Sequence, residues 1–455
     1  MNASVAVKYA PSWRHAAMVM LAAAAALFCA FTPAEATKID RIVSPGGIEA
    51  WLVRDSTVPV VALNFAFSGG SSQDPAGKAG LANMTAALLD EGAGDLDAAA
   101  FHERLERQAI EIRFSTDRDH FRGSLRTLTE RSGDAFELLR LALTAPRFDA
   151  AAVERIRTQL ASVLRRESTD PNTIASKAWW STAFPNHPYG MPTKGTPESL
   201  AAIQIPDLRD YARRVVVRER LKIAVVGDID AEAAGAMLDK VFGALPAKPE
   251  LTSVANAQPA GLGRRMVVPF DAPQAVVSVG GVGLPRKHPD YMTAYIVNHI
   301  LGGGSFTSRL YQEVREKRGL AYGVNTYLYS MEHSALFLGW TQVRADRTGD
   351  SIAIIEQEIR RMADSGPTAD ELAKAKDYLM GSYALAFDTS TKIAAQLVQI
   401  QIDDLGIDYI TRRRDLIDAV TAEDARRVAK NLLETGLLTI VVGRPVGVTS
   451  TGGPG

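Results

Sequence analysis

The sequence predicts an α+β protein made of two similar, duplicated α/β sandwich domains, each a mainly antiparallel sheet covered by helices, with a linker between them. Apolar extended runs alternate with amphipathic helical stretches along the whole chain, the pattern of helices packed on a sheet. Val60-Val-Ala-Leu63 is echoed by Val276-Val-Ser-Val279, and Val225-Val-Gly227 by Val441-Val-Gly443, both at a shift of 216 residues. Two distant matches at one offset indicate an internal duplication. Pro246, Pro249 and the polar run Leu251 to Gly263 interrupt both periodicities between the copies, as a linker does. A chain of 455 residues also exceeds what one core usually holds.

Residues 1–36 read as a signal peptide. Lys8, Arg14 and His15 precede an apolar run from Ala16 to Phe31, and Ala34-Glu35-Ala36 offers an A-x-A cleavage site, so export to a bacterial periplasm is expected. The run is too short to span a bilayer comfortably. Cys29, the single cysteine, lies inside this leader, which leaves no thiol for disulfides, thiolate catalysis or metal ligation. A formal charge of −1 gives no bulk electrostatic case for nucleic acid or, once the leader is removed, for a membrane surface.

The first domain is expected over residues 37–245. Strands begin at Ile48 and Val60, and Gly69-Gly70 with Asp74-Pro75 form a loop into a helix from Gly80 to Leu89. Helices follow at Ala98–Gln108, Arg131–Leu143 and Ala150–Arg166, with strands near Ile110–Ser115 and Phe121–Leu125. A strongly apolar strand from Leu221 and a helix from Ala231 to Val241 end the half. After the linker, 246–263, the second domain is expected over 264–445. The Gly-, Ser- and Thr-rich residues 446–455 read as a disordered tail.

The densest information lies between Leu301 and Val324. Gly302, Gly303 and Gly304 mark a tight turn or a close approach. Leu310 and Val314 are spaced for one buried helical face, Gly319 is a helix stop, and Tyr322 opens an extended run. Arg315 therefore sits late on a helix and Tyr322 early on a strand, within reach of one cleft. Arg315 offers a permanently charged fork of donors, and Tyr322 a hydroxyl. The plainer alternative pairs Arg315 with Glu313 or Glu316 and leaves Tyr322 to pack.

Ser308-Arg309-Leu310-Tyr311 followed by Arg315-x6-Tyr322 resembles the second-domain motif of the pitrilysin/insulinase family of zinc metallopeptidases. That family includes the mitochondrial processing peptidases and a bacterial group built from two different subunits, and the resemblance extends over nearly all the chain after residue 40. It implies a pair of similar domains, and an arginine and tyrosine that face the zinc site of the opposite half. Active members carry H-x-x-E-H, whose two histidines bind zinc from one helix face while the glutamate activates water. Here Gly80-Leu81-Ala82 has the family context, but Asn83 and Ala87 stand where the histidines belong and Ala86 where the base belongs. Glu154 resembles the earlier of two later glutamates, and Ala161 stands at the third ligand.

No other histidine supplies a zinc pattern. His102 reads as a solvated helix neighbour of Glu103 and Glu106, His187 as part of a structural loop, and His299 as a core histidine. The resemblance thus implies a chain that binds no cofactor itself. It would bind unfolded peptide, with Gly302 to Gly304 and Ser305 letting an extended substrate lie close to the backbone, or serving only as a turn. It would lend Arg315 and Tyr322 in trans to a homologous H-x-x-E-H partner holding Zn2+. A scaffold role and a stand-alone peptide-binding role are the alternatives.

Overall fold

A computed structural model describes residues 38–451; the expected signal peptide lies outside them. The first sheet contains β1 (Asp40–Val43), β2 (Glu49–Arg54), β3 (Val60–Ser68), β4 (Glu111–Thr116), β5 (His120–Leu128) and β6 (Lys222–Gly227), in the order β1-β2-β6-β3-β5-β4. The second contains β7 (Arg265–Pro269), β8 (Gln274–Val282), β9 (Ala321–Ser330), β10 (Ala335–Arg344) and β11 (Leu438–Gly443), in the order β9-β10-β8-β11-β7. Apart from β1 the two circuits are the same. Each has one parallel pair, β2 with β6 and β7 with β11, and is otherwise antiparallel.

The ladders refine the duplication. Ala62 lies opposite Val226, and Val276 lies opposite Val442, so Ala62 rather than Val60 is the counterpart of Val276. The correspondence slides by two residues in this strand. A slip of two keeps every side chain on its own face, because the side-chain period of a strand is two, and the sequence pattern therefore survives it.

On β3, Val61, Leu63, Phe65 and Phe67 face the helices of their own half. Phe65 meets Phe67 at 5.6 Å and Phe242 at 5.3 Å, edge to face, and Gly123 is required beneath it, since a Cβ there would sit 2.1 Å from the Phe65 ring. The other face of each sheet is covered from across the molecule. Helix α3 (Pro171–Ala183) is preceded by α1 (Leu81–Ala86) and α2 (Ala150–Glu167). Although it belongs to the first half, it packs Trp179 against Val276, Leu338, Ile440 and Val442 of the second sheet. The Trp179 indole N–H donates to the Leu438 carbonyl at 3.3 Å. Reciprocally, helices α4 (Thr348–Ser365) and α5 (Ala369–Gly381) stay with the second half, while α6 (Ser390–Ile402) lies on Trp51, Val53, Ala66 and Val226 of the first sheet. Gln401 donates to the Ile223 carbonyl at 2.9 Å.

The linker and the tail, the latter expected to be disordered, are docked. In the linker, Thr252 and Gln73 exchange hydrogen bonds at 2.7 and 3.1 Å. Ala257 N–H donates to His333, Ala260 N–H to Ala183 and Gly263 N–H to Leu437. The tail after Val446 runs along β7 as far as it is described: Thr451 N–H donates to the Arg265 carbonyl at 2.8 Å and Ser450 accepts from Val267 at 3.0 Å. Composition suggested freedom for the tail; hydrogen bonding, which composition does not report, holds both segments.

Candidate functional site

The segment around Arg315 is built as a π-helix, Tyr311–Glu316, where an ordinary helix was expected. Such wide turns often occur at functional sites. Leu310 and Val314 are fully buried beneath it. Its anchor is Arg309, also buried: Nε and Nη2 each meet a Glu371 carboxylate oxygen at 2.7 Å, and Nη2 also donates to the Gly366 carbonyl. Burial, the largest single influence, would raise the Glu371 pKa, but the Arg309 hydrogen bonds and charge together with the Thr368 hydrogen bonds outweigh it and bring it down to about 2. Glu371 additionally accepts from Thr368 N–H at 2.8 Å in the capping box of α5. Arg309 stands inside the Ser-Arg-Leu-Tyr signature, so its position in that signature was the only sequence-level sign of its importance.

Gly319 (φ +60) turns the chain back into β9, an edge strand whose pairing with β10 is irregular between Ala321 and Val324. Bulges of this kind re-aim side chains, and Tyr322 is left 88% exposed. The Arg315 guanidinium lies 5.8 Å from the Tyr322 ring centre and 5.0 Å from that of Tyr311, and pairs with Glu316. The two expected site residues are therefore brought together, at the solvent-facing surface. Arg318 is turned away: it bonds the Glu313 carboxylate at 2.6 Å and the Glu313 carbonyl at 2.8 Å.

The glycines serve close packing within the chain. A Cβ on Gly302 would fall 2.5 Å from Thr326 Oγ1, one on Gly303 2.6 Å from Asn298 Nδ2, and one on Gly304 2.8 Å from the His299 carbonyl. They let a second π-helix, His299–Gly303, pass across β9. Ser305 adopts φ +48 and is exposed. It is followed by Phe306, 69% exposed and edge-on to Tyr311 at 5.0 Å. His299 is a core histidine stacked on Tyr378 at 5.1 Å, its pKa lowered by burial.

Helix α1 starts where Asp74 accepts from the Gly80 and Ala82 N–H groups, both at 2.8 Å. Burial pushes the Asp74 carboxyl up to about 7, against the pull of those bonds. Asn83 and Ala87 are half-buried, Ala86 is buried, and Ala161 lies half-buried on α2. One amide and three methyl groups do not make a zinc site. Among the described residues no group of three or more His, Cys, Asp or Glu is placed to hold a metal ion. His102 differs from expectation in its partner. Its ring is 2.9 Å from the Asp90 carbonyl and 4.0 Å from Glu91, while Glu103 binds Arg107. Glu91 is buried and held by Arg155, Glu154 pairs with Arg157 at 3.1 Å, and Glu167 pairs with Lys194.

Comparison with known proteins agrees with the duplicated fold. Residues 50–197 match the model described as Insulinase (Peptidase family M16), and residues 202–379 the model described as Peptidase M16 inactive domain. The non-peptidase homolog YmxG of Helicobacter pylori is 27% identical over 333 residues, 73% of this chain and 77% of that protein. The uncharacterized zinc protease Rv2782c of Mycobacterium tuberculosis is 25% identical over 421 residues, 90% of this chain and 94% of that protein. Among solved structures, a peptidase M16 inactive domain from Pseudomonas fluorescens superposes with TM-score 0.85 at 26% identity, over 90% of this chain and 99% of that one. A protease from Helicobacter pylori shares the fold at TM-score 0.81 and 19% identity, over 90% of this chain and 99% of that one.

Proposed function

The chain belongs to the insulinase family, peptidase family M16, and on that premise we propose that it is a non-catalytic member that completes the active site of a zinc-bearing homologue. The observation that carries this reading is a contrast within one molecule. The first-domain helix keeps Gly80-Leu81-Ala82 but no ligand or base, while the second domain keeps an exposed Tyr322 beside a half-buried Arg315. An exposed tyrosine ring beside an arginine adds little to a fold, and its natural use is contact with something outside the chain.

In this reading an unfolded peptide lies along the free edge of β9, near Gly303 to Ser305. The Arg315 fork orients a substrate carbonyl or carboxylate, and the Tyr322 hydroxyl donates to the oxygen on which negative charge develops. A partner with H-x-x-E-H would hold the metal. The chain would act after export, and among the described residues no helix is long and apolar enough to cross a membrane.

The test is peptide hydrolysis by the purified chain without residues 1–36, alone and mixed with the exported H-x-x-E-H homologue from the same cell, with zinc quantified in each. We expect no cleavage alone and activity on mixing. In the mixture, Arg315→Ala or Tyr322→Phe should lower kcat/KM by roughly 100-fold, the scale of one lost oxyanion donor. Stoichiometric zinc with chelator-sensitive cleavage by this chain alone would overturn the reading. Peptide binding without cleavage in any mixture would transfer support to the stand-alone peptide-binding role.

A further inference from the structure

A second site stands apart from Arg315 and Tyr322, where α3 faces the loop Gly190–Lys194. A cavity of about 420 Å³ opens there, and Arg118, Trp180, Thr173, Lys177, Thr193 and Lys194 are among the residues that line it. Arg118 is the unusual member. Its guanidinium lies flat on the Trp180 indole, 3.4 Å from the ring centre, and Trp180 is itself stacked on Phe184 at 5.5 Å. The Arg118 Nε–H donates to the Tyr189 carbonyl at 3.1 Å. Stacking fixes the plane of the fork and this bond fixes its rotation, so the two Nη groups are presented in one orientation.

Those two Nη groups have no acceptor among the described residues, and no carboxylate lies within ion-pair distance of them. The neighbouring acids are already used: Asp117 holds Arg122 at 3.0 Å and Asp119 accepts from the Tyr189 hydroxyl at 2.5 Å. Desolvation lowers the Arg118 pKa, offset in part by nearby Tyr329, Asp119, Tyr189 and Asp117, none of which bonds its Nη groups. A cation held that way is costly unless something pairs with it. Lys177, exposed one turn before Ser181 on α3, also lacks a carboxylate partner among the described residues. Glu167, the one acid in the lining, is bound to Lys194. The cavity is therefore net cationic, with hydroxyls on its walls.

We propose that this cavity is a binding site for a small carboxylate, with Arg118 as its bidentate fork and Lys177 as a second charge. Two parallel N–H groups at fixed orientation match the two oxygens of a carboxylate, and the volume suits a ligand of amino-acid to tripeptide size. A carboxylate can come from a free organic acid or from the C-terminus of a peptide. The site stands on its own geometry and holds whether or not the chain pairs with a peptidase.

Isothermal titration of the full chain without residues 1–36 tests it with four probes: glutarate, triglycine, triglycine amide and inorganic phosphate. We expect saturable binding of glutarate, of triglycine, or of both. Glutarate alone identifies a free acid; triglycine with no response to its amide identifies a peptide terminus. Arg118→Lys keeps charge and stem but removes the fork, and should weaken binding about tenfold or more, the scale of one charge-assisted hydrogen bond. Lys177→Gln, at an exposed position that packing does not need, should weaken it less and reduce its salt dependence. No saturable heat from either carboxylate probe up to about 10 mM, far weaker than a built site, would overturn the proposal. So would binding that both variants leave unchanged, or phosphate binding as tightly as the carboxylates.

Discussion

Arg309 and Arg315 are six residues apart in one signature and do opposite work. Arg309 is buried and bidentate to Glu371, tying the π-helix to α5. Arg315 is at the surface, and among the described residues Glu316 is its one ionic partner. Breaking a buried pair leaves the other charge uncompensated. Glu371→Gln should therefore cost about 2–3 kcal/mol of stability at neutral pH, measured by urea unfolding. The pH dependence has a definite sign. The Glu371 pKa is lowered from 4.5 to about 2 in the folded chain, so the folded state prefers the ionised form. The contribution is present above the unfolded pKa and is lost as pH falls from 4.5 towards 2. The stability gap between the natural chain and Glu371→Gln should close over that window, and a gap independent of pH would contradict the assignment. Tyr322→Phe removes an exposed hydroxyl and Arg315→Ala a half-buried surface group, and each should change stability by less than about 0.5 kcal/mol, which separates loss of function from loss of fold.

At the scale of elements, the exchange of α3 and α6 between halves depends on fine clearances. The Trp179 indole lies over Gly280, where a Cβ would fall 2.3 Å from the ring and 2.7 Å from Leu338. Gly280→Ala should cost about 1–3 kcal/mol by overpacking. The cost should shrink when Trp179 is replaced by Leu, which a double-mutant cycle would read as coupling between the two positions; additive costs would show that the clash is relieved elsewhere. Neither helix is among those read from the sequence, and their destination is harder still to read. Trp179 and Ala183 read as the apolar stripe of any amphipathic helix, and such a stripe does not say which sheet it covers. The strands were more legible, because a fully buried strand is a continuous apolar run and its copy recurs at nearly constant offset. The Arg315–Tyr322 pairing was legible for a local reason: a helix, a glycine stop and a strand return the chain on itself within a few residues. Arg118 was not legible. Its partners Trp180 and Tyr189 are distant in sequence, and an isolated Asp117-Arg118-Asp119 reads as an ordinary polar turn.

For the whole molecule, these connections bear on where it can open. The described residues from Ile39 onward cluster as one compact unit, although the duplication would permit two separable ones. Three sets of contacts cross the seam: the exchanged helices, the docked linker, and a latch at the β9–β10 turn. In the latch the Tyr189 hydroxyl donates to Asp119 at 2.5 Å and accepts from His333 N–H at 3.0 Å, while Glu332 N–H donates to the second Asp119 oxygen at 3.0 Å. Hinge motion within the chain would have to break all three together and expose the apolar faces under α3 and α6. Chemical unfolding should accordingly be a single transition, coincident by near- and far-ultraviolet circular dichroism. Tyr189→Phe strips a buried carboxylate and an N–H of one partner each, and should shift that transition by about 2 kcal/mol without splitting it. Two resolved transitions, in the natural chain or in Tyr189→Phe, would mean that the halves are independent bodies. On the proposed function, a peptide would reach Arg315 and Tyr322 at a surface that is already open, with no hinge needed inside the chain. A rigid half with its arginine and tyrosine already set at the surface is what the proposed partner would close upon.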